Sequence, residues 1–361
     1  MWHSVSLVRP ITKLLDTPLK LVGAATAVIS LILAGNEVTK VVGQARENRR
    51  HIAELQRVAS EQQKSGDYAA AWASLSAASK IDDQAVRTSQ EDLAMAWLRD
   101  VRISEGSKFS DVVDPLAAVL TRGTVSASGV RKADLLAHVG WAYFLKSRDG
   151  STTARPEDSY REAIEIDPGN PFAHAYWGHW IMWMRGNVDE ASRHFAAAVA
   201  SGRERPYVRQ IQLAALNLFR SDGADVALLR AVDEMRRNGE PINARTRRDI
   251  YNLYYSSFSS DVDLRRLIES LPPREHIATI RALFFDTDFE PYKAPLRDAM
   301  LAMLQEAAGS HDEALASWRA VRAEVRPDYD RRVTTRADAA IARLSRQELA
   351  EKRMTNLPRQ H

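Results

Sequence analysis

Beyond Val38 the apolar residues recur three and four apart, strand-like alternation is absent, and the pattern breaks at Gly, Asn-Gly and Pro-containing turns. A period near 3.6 with short breaks predicts an all-α chain whose successive helices pair as antiparallel neighbours. Gln90 to Arg122 reads as one hairpin, with Leu93, Ala96 and Trp97 on its first helix and Val112, Leu116 and Leu120 on its second. Pro206 to Asn238 reads as another, with Leu213, Leu216 and Phe219 facing Val226, Leu229 and Val232. Arg245 to Phe285 is helical without a clear pairing, and Arg332 to Lys352 reads as one terminal helix with a solvated face.

Four segments repeat one another. Gly66 leads to Ala71, Leu75 and Ala78; Gly186 leads to Ala191, Phe195 and Ala198; Gly309 leads to Ala314, Trp318 and Val321. In each, a turn glycine precedes a small alanine by five residues, and a large apolar residue follows four later. A fourth copy carries Gly140 and Tyr143, then Tyr160, Ala163 and Pro168, with its turn stretched by Asp149 to Pro156. The small residue lets two helices approach closely, and the large one a turn later fills the space beside it. Ala163 and Ala198 stand 35 residues apart, which sets the length of one unit.

These residues resemble the tetratricopeptide repeat (TPR), a helix–turn–helix unit of about 34 residues. The resemblance covers Glu47 to about Glu324. It is strong near 52–83, 133–168, 172–202 and 295–324 and weak between them. It implies an all-α, TPR-like solenoid wound as a right-handed superhelix, with residues 325–361 as a cap helix and tail. It also implies that the first helices of successive units line a concave groove able to take a partner's helix or peptide.

The helical period assigns faces in the strongest pair. On Leu135–Lys146, Leu136, Val139, Gly140 and Tyr143 turn towards the second helix; Ala137, Trp141, Phe144 and Leu145 turn towards the groove. On Phe172–Arg185, Ala175, Gly178, His179 and Met182 are inner, and Tyr176, Trp180, Trp183 and Met184 are on the groove side. Trp141 and Trp180 are then equivalent positions, as are Phe144 and Trp183. Aromatics suit partner anchoring because they offer large contact area at low entropy cost. The same residues could instead be covered by neighbouring helices, and the pattern leaves both readings open. Gln56, Ser60, Gln63 and Lys64 hold the first unit's groove positions, and Met303 and Glu306 hold the last unit's. The sequence therefore centres binding on residues 137 to 184, with Trp141, Phe144, Tyr176, Trp180 and Trp183 as anchors.

One uncharged run, Leu21 to Asn36, lies between Lys20 and Glu37. Extended to 19–38 by a snorkelling Lys20, it reaches about 30 Å as a helix, enough for one bilayer span after a flank at 1–18. A cleaved signal and an apolar helix buried in the protein are the other readings. Arg9, Lys13 and Lys20 precede the run; Lys40, Arg46, Arg49 and Arg50 follow it. The near tie leans towards a cytoplasmic C-terminal part, with a periplasmic one open. The arrangement resembles bacterial TPR proteins that carry one inner-membrane helix before the repeats. Gly23 and Ala27 form a small-xxx-small pair that would suit a homo-oligomer.

Composition narrows the chemistry. A net charge of +3 from 50 basic and 47 acidic residues is too balanced for a dedicated nucleic-acid binder. Arg245, Arg247 and Arg248 stand beside Asp249 without interleaved base-stacking aromatics. The chain has no cysteine, which excludes disulfides, thiolate metal sites and cysteine nucleophiles. No phosphate loop, H-E-x-x-H or G-x-S-x-G motif occurs. His174 and His179, five apart, do not share a helix face and make a poor metal pair.

The expectation is a membrane-tethered scaffold for a protein partner: no enzyme, no cofactor, no metal, no small-molecule substrate and no nucleic acid. One rival is a self-associating structural array. The other is an enzyme site within 240–290, around Tyr251, Tyr254, Tyr255, Asp286 and Asp288.

Overall fold

In the computed structural model the periodic segments become sixteen helices, with no strand among the described residues: 42–101, 108–218, 223–288, 294–325 and 331–355. The expected span at 19–38 lies outside them, as does Phe219. Among the described residues no helix is long and apolar enough to cross a membrane. The chain divides into two compact units, the first ending at Ala127 and including Arg148–Ser151, the second holding Ser128–Ser147 and everything from Thr152.

The first unit contains α1 (42–64), α2 (Tyr68–Ser79), α3 (Asp83–Arg99) and α4 (Phe109–Ser126). The α1–α2 turn works because Gly66 takes φ +82°, a left-handed conformation that costs a glycine nothing. Asp67 then caps α2 by accepting the Ala70 N–H at 3.0 Å. Ala71 and Leu75 are buried with Ala59 and Leu93, so the small-then-large spacing performs the close approach expected of it. Ile52, Ala78 and Val86 form the adjoining core. Tyr68 stacks on Trp97 with ring centroids 6.3 Å apart.

The second unit runs from α5 (Gly129–Ser147) and α6 (Pro156–Ile166) to α7 (Pro171–Arg185), α8 (Val188–Ala200), α9 (Arg205–Leu218) and α10 (Ala224–Arg237). It continues through α11 (Ala244–Ser257), α12 (Asp261–Ile268), α13 (Pro273–Phe284), α14 (Ala294–Ala307), α15 (His311–Glu324) and α16 (Arg331–Thr355). The pairs α5/α6, α7/α8 and α14/α15 pack as hairpins, and α5, α7 and α9 lie side by side. Gly140 faces Tyr160, and Gly178 faces Phe195, so consecutive hairpins are closed by the same glycine–aromatic pairing. Val333, Ala337, Ala340 and Leu344 form one buried stripe of α16, which packs on α14 and α15.

The hairpin connections are tied by a polar relay. Asn170 caps α7 through the Ala173 N–H at 2.9 Å, while its amide donates to Asp134 Oδ1 at 2.7 Å. Arg203, beyond α8, donates to Asp134 Oδ2 at 2.9 Å and to Asp167 Oδ2 at 3.2 Å. Burial, the largest influence, raises the Asp134 carboxyl pKa above its ordinary value, against the opposing contacts from Asn170 and Arg203.

Candidate partner-binding site

Four of the five aromatics proposed as anchors, Trp141, Phe144, Tyr176 and Trp183, belong to one ring cluster built by α5 and α7. Trp141 stacks on Tyr176 at 4.5 Å and packs beside Phe144 at 5.0 Å. His179 presents its ring edge-on to Trp141 and to Phe144, each at 5.2 Å. Phe144 in turn carries Trp183 edge-on at 5.8 Å. From α9, Tyr207 reaches the Tyr176 hydroxyl at 3.0 Å. The Arg185 guanidinium sits 5.0 Å over the Trp180 ring.

Burial separates the five. Trp141, Phe144, Tyr176 and Trp180 are buried by the chain itself, whereas Trp183 is 41% exposed and the adjacent Met184 58%. As free anchors the first four are therefore corrected to packing residues. The physical reason is the side-by-side approach of α5, α7 and α9, whose facing gap Trp141, Phe144 and Tyr176 fill. His179 bridges α5 and α7 within that gap, a buried imidazole whose place is between helices and not within one hairpin. On α9, Leu218 stands 35 residues after Trp183, one unit length on, and is 64% exposed. The sequence reading named Trp183 and passed over Leu218, although the repeat length points to it.

At the last hairpin, Met303 is buried and Glu306 is fully engaged. One Glu306 oxygen accepts the Trp318 indole N–H at 2.5 Å and the other accepts Arg343 at 2.5 Å. These residues line a cleft of about 560 Å³ with Leu264, Ile268 and Arg336, whose guanidinium pairs with Asp261. The first unit's Gln56 is turned inward, donating to Ser89 at 3.3 Å.

The residues proposed for a catalytic site in 240–290 differ in burial. Tyr251 and Tyr254 are buried, with Tyr251 edge-on to Phe284 at 6.0 Å. Tyr255, one turn after Tyr251 on α11, is exposed, and Asp286 and Asp288 are exposed after α13. What the sequence did not reveal is the partner of Tyr254: its hydroxyl hydrogen-bonds His276 Nε2 in a fully buried pair. His276 Nδ1 lies 3.2 Å from the Ile268 carbonyl, so it carries the proton and Nε2 accepts from the phenol.

Burial holds His276 down at about 4, outweighing the opposing influence of the Ile268 carbonyl. A histidine depressed in the native state binds fewer protons there than in the unfolded chain between pH 4 and 6.5. Its contribution is complete above pH 6.5 and is lost as pH falls towards 4, on the order of 3 kcal/mol. Urea midpoints measured from pH 7 to 4.5 will fall with acid, and His276→Gln will flatten that slope whatever it does to stability at pH 7.

Among the described residues no group of three or more His, Asp or Glu is placed to hold a metal ion. No protein-family model matches the chain, and no curated protein sequence matches it. The chain is similar in solved structure to yeast Tom70, at 12% identity over 95% of this chain and 93% of that one. The TM-score is 0.24, a superposition too loose to fix curvature or function.

Proposed function

We propose that this all-α array of helical hairpins is a protein-binding scaffold, tethered to a membrane by residues 19–38. Its partner is an apolar helix or peptide seated on the exposed ends of α7 and α9. One observation carries the reading: Trp183 is a large aromatic left 41% exposed, with its edge held against buried Phe144. A ring so seated offers contact area with little entropy left to lose. Met184 and Leu218 extend the apolar surface along neighbouring helices. Catalysis has no part in this reading.

The test is photo-crosslinking from positions 183 and 218 in intact cells, with exposed Arg161 as a control position. A discrete partner captured from 183 and 218, and lost with Trp183→Ala in the 218-labelled chain, supports the scaffold. Trp183→Ala will lower partner capture at least tenfold while changing stability by less than about 1 kcal/mol. Crosslinks to a second copy of the chain would replace this reading with self-association. Protease access in spheroplasts tests the tether and its orientation separately.

A further inference from the structure

Two histidines that no motif connects meet across one hairpin. His174, on α7, places its Nδ1 3.0 Å from Nδ1 of His194, on α8. His174 Nε2 lies 3.0 Å from the Pro168 carbonyl oxygen. A carbonyl only accepts, so in the neutral ring Nε2 bears the proton and Nδ1, on the side of His194, is bare. Trp177 packs beside His194 at 4.7 Å, walling one side of the pair, and both imidazoles are half-buried.

We propose that His174 and His194 form a two-imidazole site for a borderline-soft divalent transition-metal ion, Zn(II) being the probe of choice. Two nitrogens bound to one ion at about 2.0–2.1 Å stand about 2.9–3.3 Å apart for ligand angles from 90° to tetrahedral. The pair already has that separation. The bond from His174 Nε2–H to a backbone carbonyl is the support that ligating histidines ordinarily have, fixing both tautomer and ring orientation.

The proton balance is simple. Without metal, the Nδ1–H of His194 donates to the bare Nδ1 of His174. On binding, that proton moves to His194 Nε2, both Nδ1 atoms donate to the ion, and no net proton leaves the protein. Water fills the remaining positions, since among the described residues no third His, Asp or Glu converges there. The ion then joins α7 to α8 and stabilises their hairpin by mass action.

The experiment titrates Zn(II) alone into the full chain at pH 7.5, by calorimetry and thermal unfolding, with histidine side-chain 15N spectra as a direct readout. The expected result is one site whose occupancy raises the midpoint and shifts the Nδ1 resonances of two imidazoles. The heat should not depend on the ionisation enthalpy of the buffer. His194→Gln should weaken binding at least about tenfold. His174→Gln should do the same; if loss of its Pro168 bond unfolds the hairpin, His194→Gln and the spectra carry the test. Unchanged Zn(II) affinity in folded His194→Gln, shifts confined to Nε2 atoms, or no binding below millimolar Zn(II) would overturn the site.

Discussion

Gly140→Ala will lower the stability of the second unit by about 2–3 kcal/mol, although the exchange favours an isolated helix by about 1 kcal/mol. The two effects have opposite signs, which makes the outcome informative. A Cβ at position 140 would lie 2.5 Å from Tyr160 Cε1, 2.8 Å from Cδ1 and 3.1 Å from the Pro156 carbonyl. Tyr160 is fully buried and cannot swing aside, so α5 and α6 must separate. Gly178→Ala meets a milder obstruction, with Phe195 Cε1 at 3.0 Å and the Ala191 carbonyl at 3.2 Å. Urea unfolding of the full chain should rank Gly140→Ala below Gly178→Ala. A stabilised Gly140→Ala would contradict the close helix approach.

Arg209→Ala will cost about 3–5 kcal/mol, the loss expected when one partner of a buried ion pair is removed. Arg209 is 2% exposed, yet it carries a full charge between α9 and the end of α10. Its Nε donates to Glu240 at 3.0 Å, its Nη1 to Gln212 at 2.9 Å, and its Nη2 pairs with Glu234 at 2.9 Å. Truncation leaves Glu240, itself 12% exposed, with the more exposed Arg205 at 3.4 Å in place of its buried partner. Arg209→Met combined with Glu240→Gln removes both charges and should recover much of the loss. Equal midpoints for Arg209→Ala and the double variant would show that packing, not charge, is what position 209 supplies.

The hairpins were legible because their code is local. A turn glycine, a small alanine and a large apolar residue within ten positions set the approach of two neighbouring helices, as Ala71 with Leu75 and Ala191 with Phe195 show. Burial of the aromatic ridge was not legible in the same way. The period placed Trp141 and Tyr176 on one face, but only the distance between α5 and α7 decides whether that face meets solvent or another ring. At 4.5 Å it meets a ring. Long-range pairings were hidden for a similar reason. His174 was weighed against His179 on its own helix, while its contact is His194, twenty residues on. Tyr254 was grouped with neighbouring acids, while its partner His276 arrives from α13. Of the five aromatics read as anchors, only Trp183 is exposed.

Arg203 has a consequence for how the molecule opens. It joins Asp134 on α5, Asp167 beyond α6 and its own position beyond α8, while Asn170 joins two of those to the start of α7. Helical repeats ordinarily release one unit at a time, because each touches only its neighbours. Here a single guanidinium spans two hairpins, so losing either one strands its charge beside unmatched carboxylates. Hydrogen exchange should therefore report the four helices α5 to α8 as one cooperative block, with fraying from the C-terminal helices stopping at its edge.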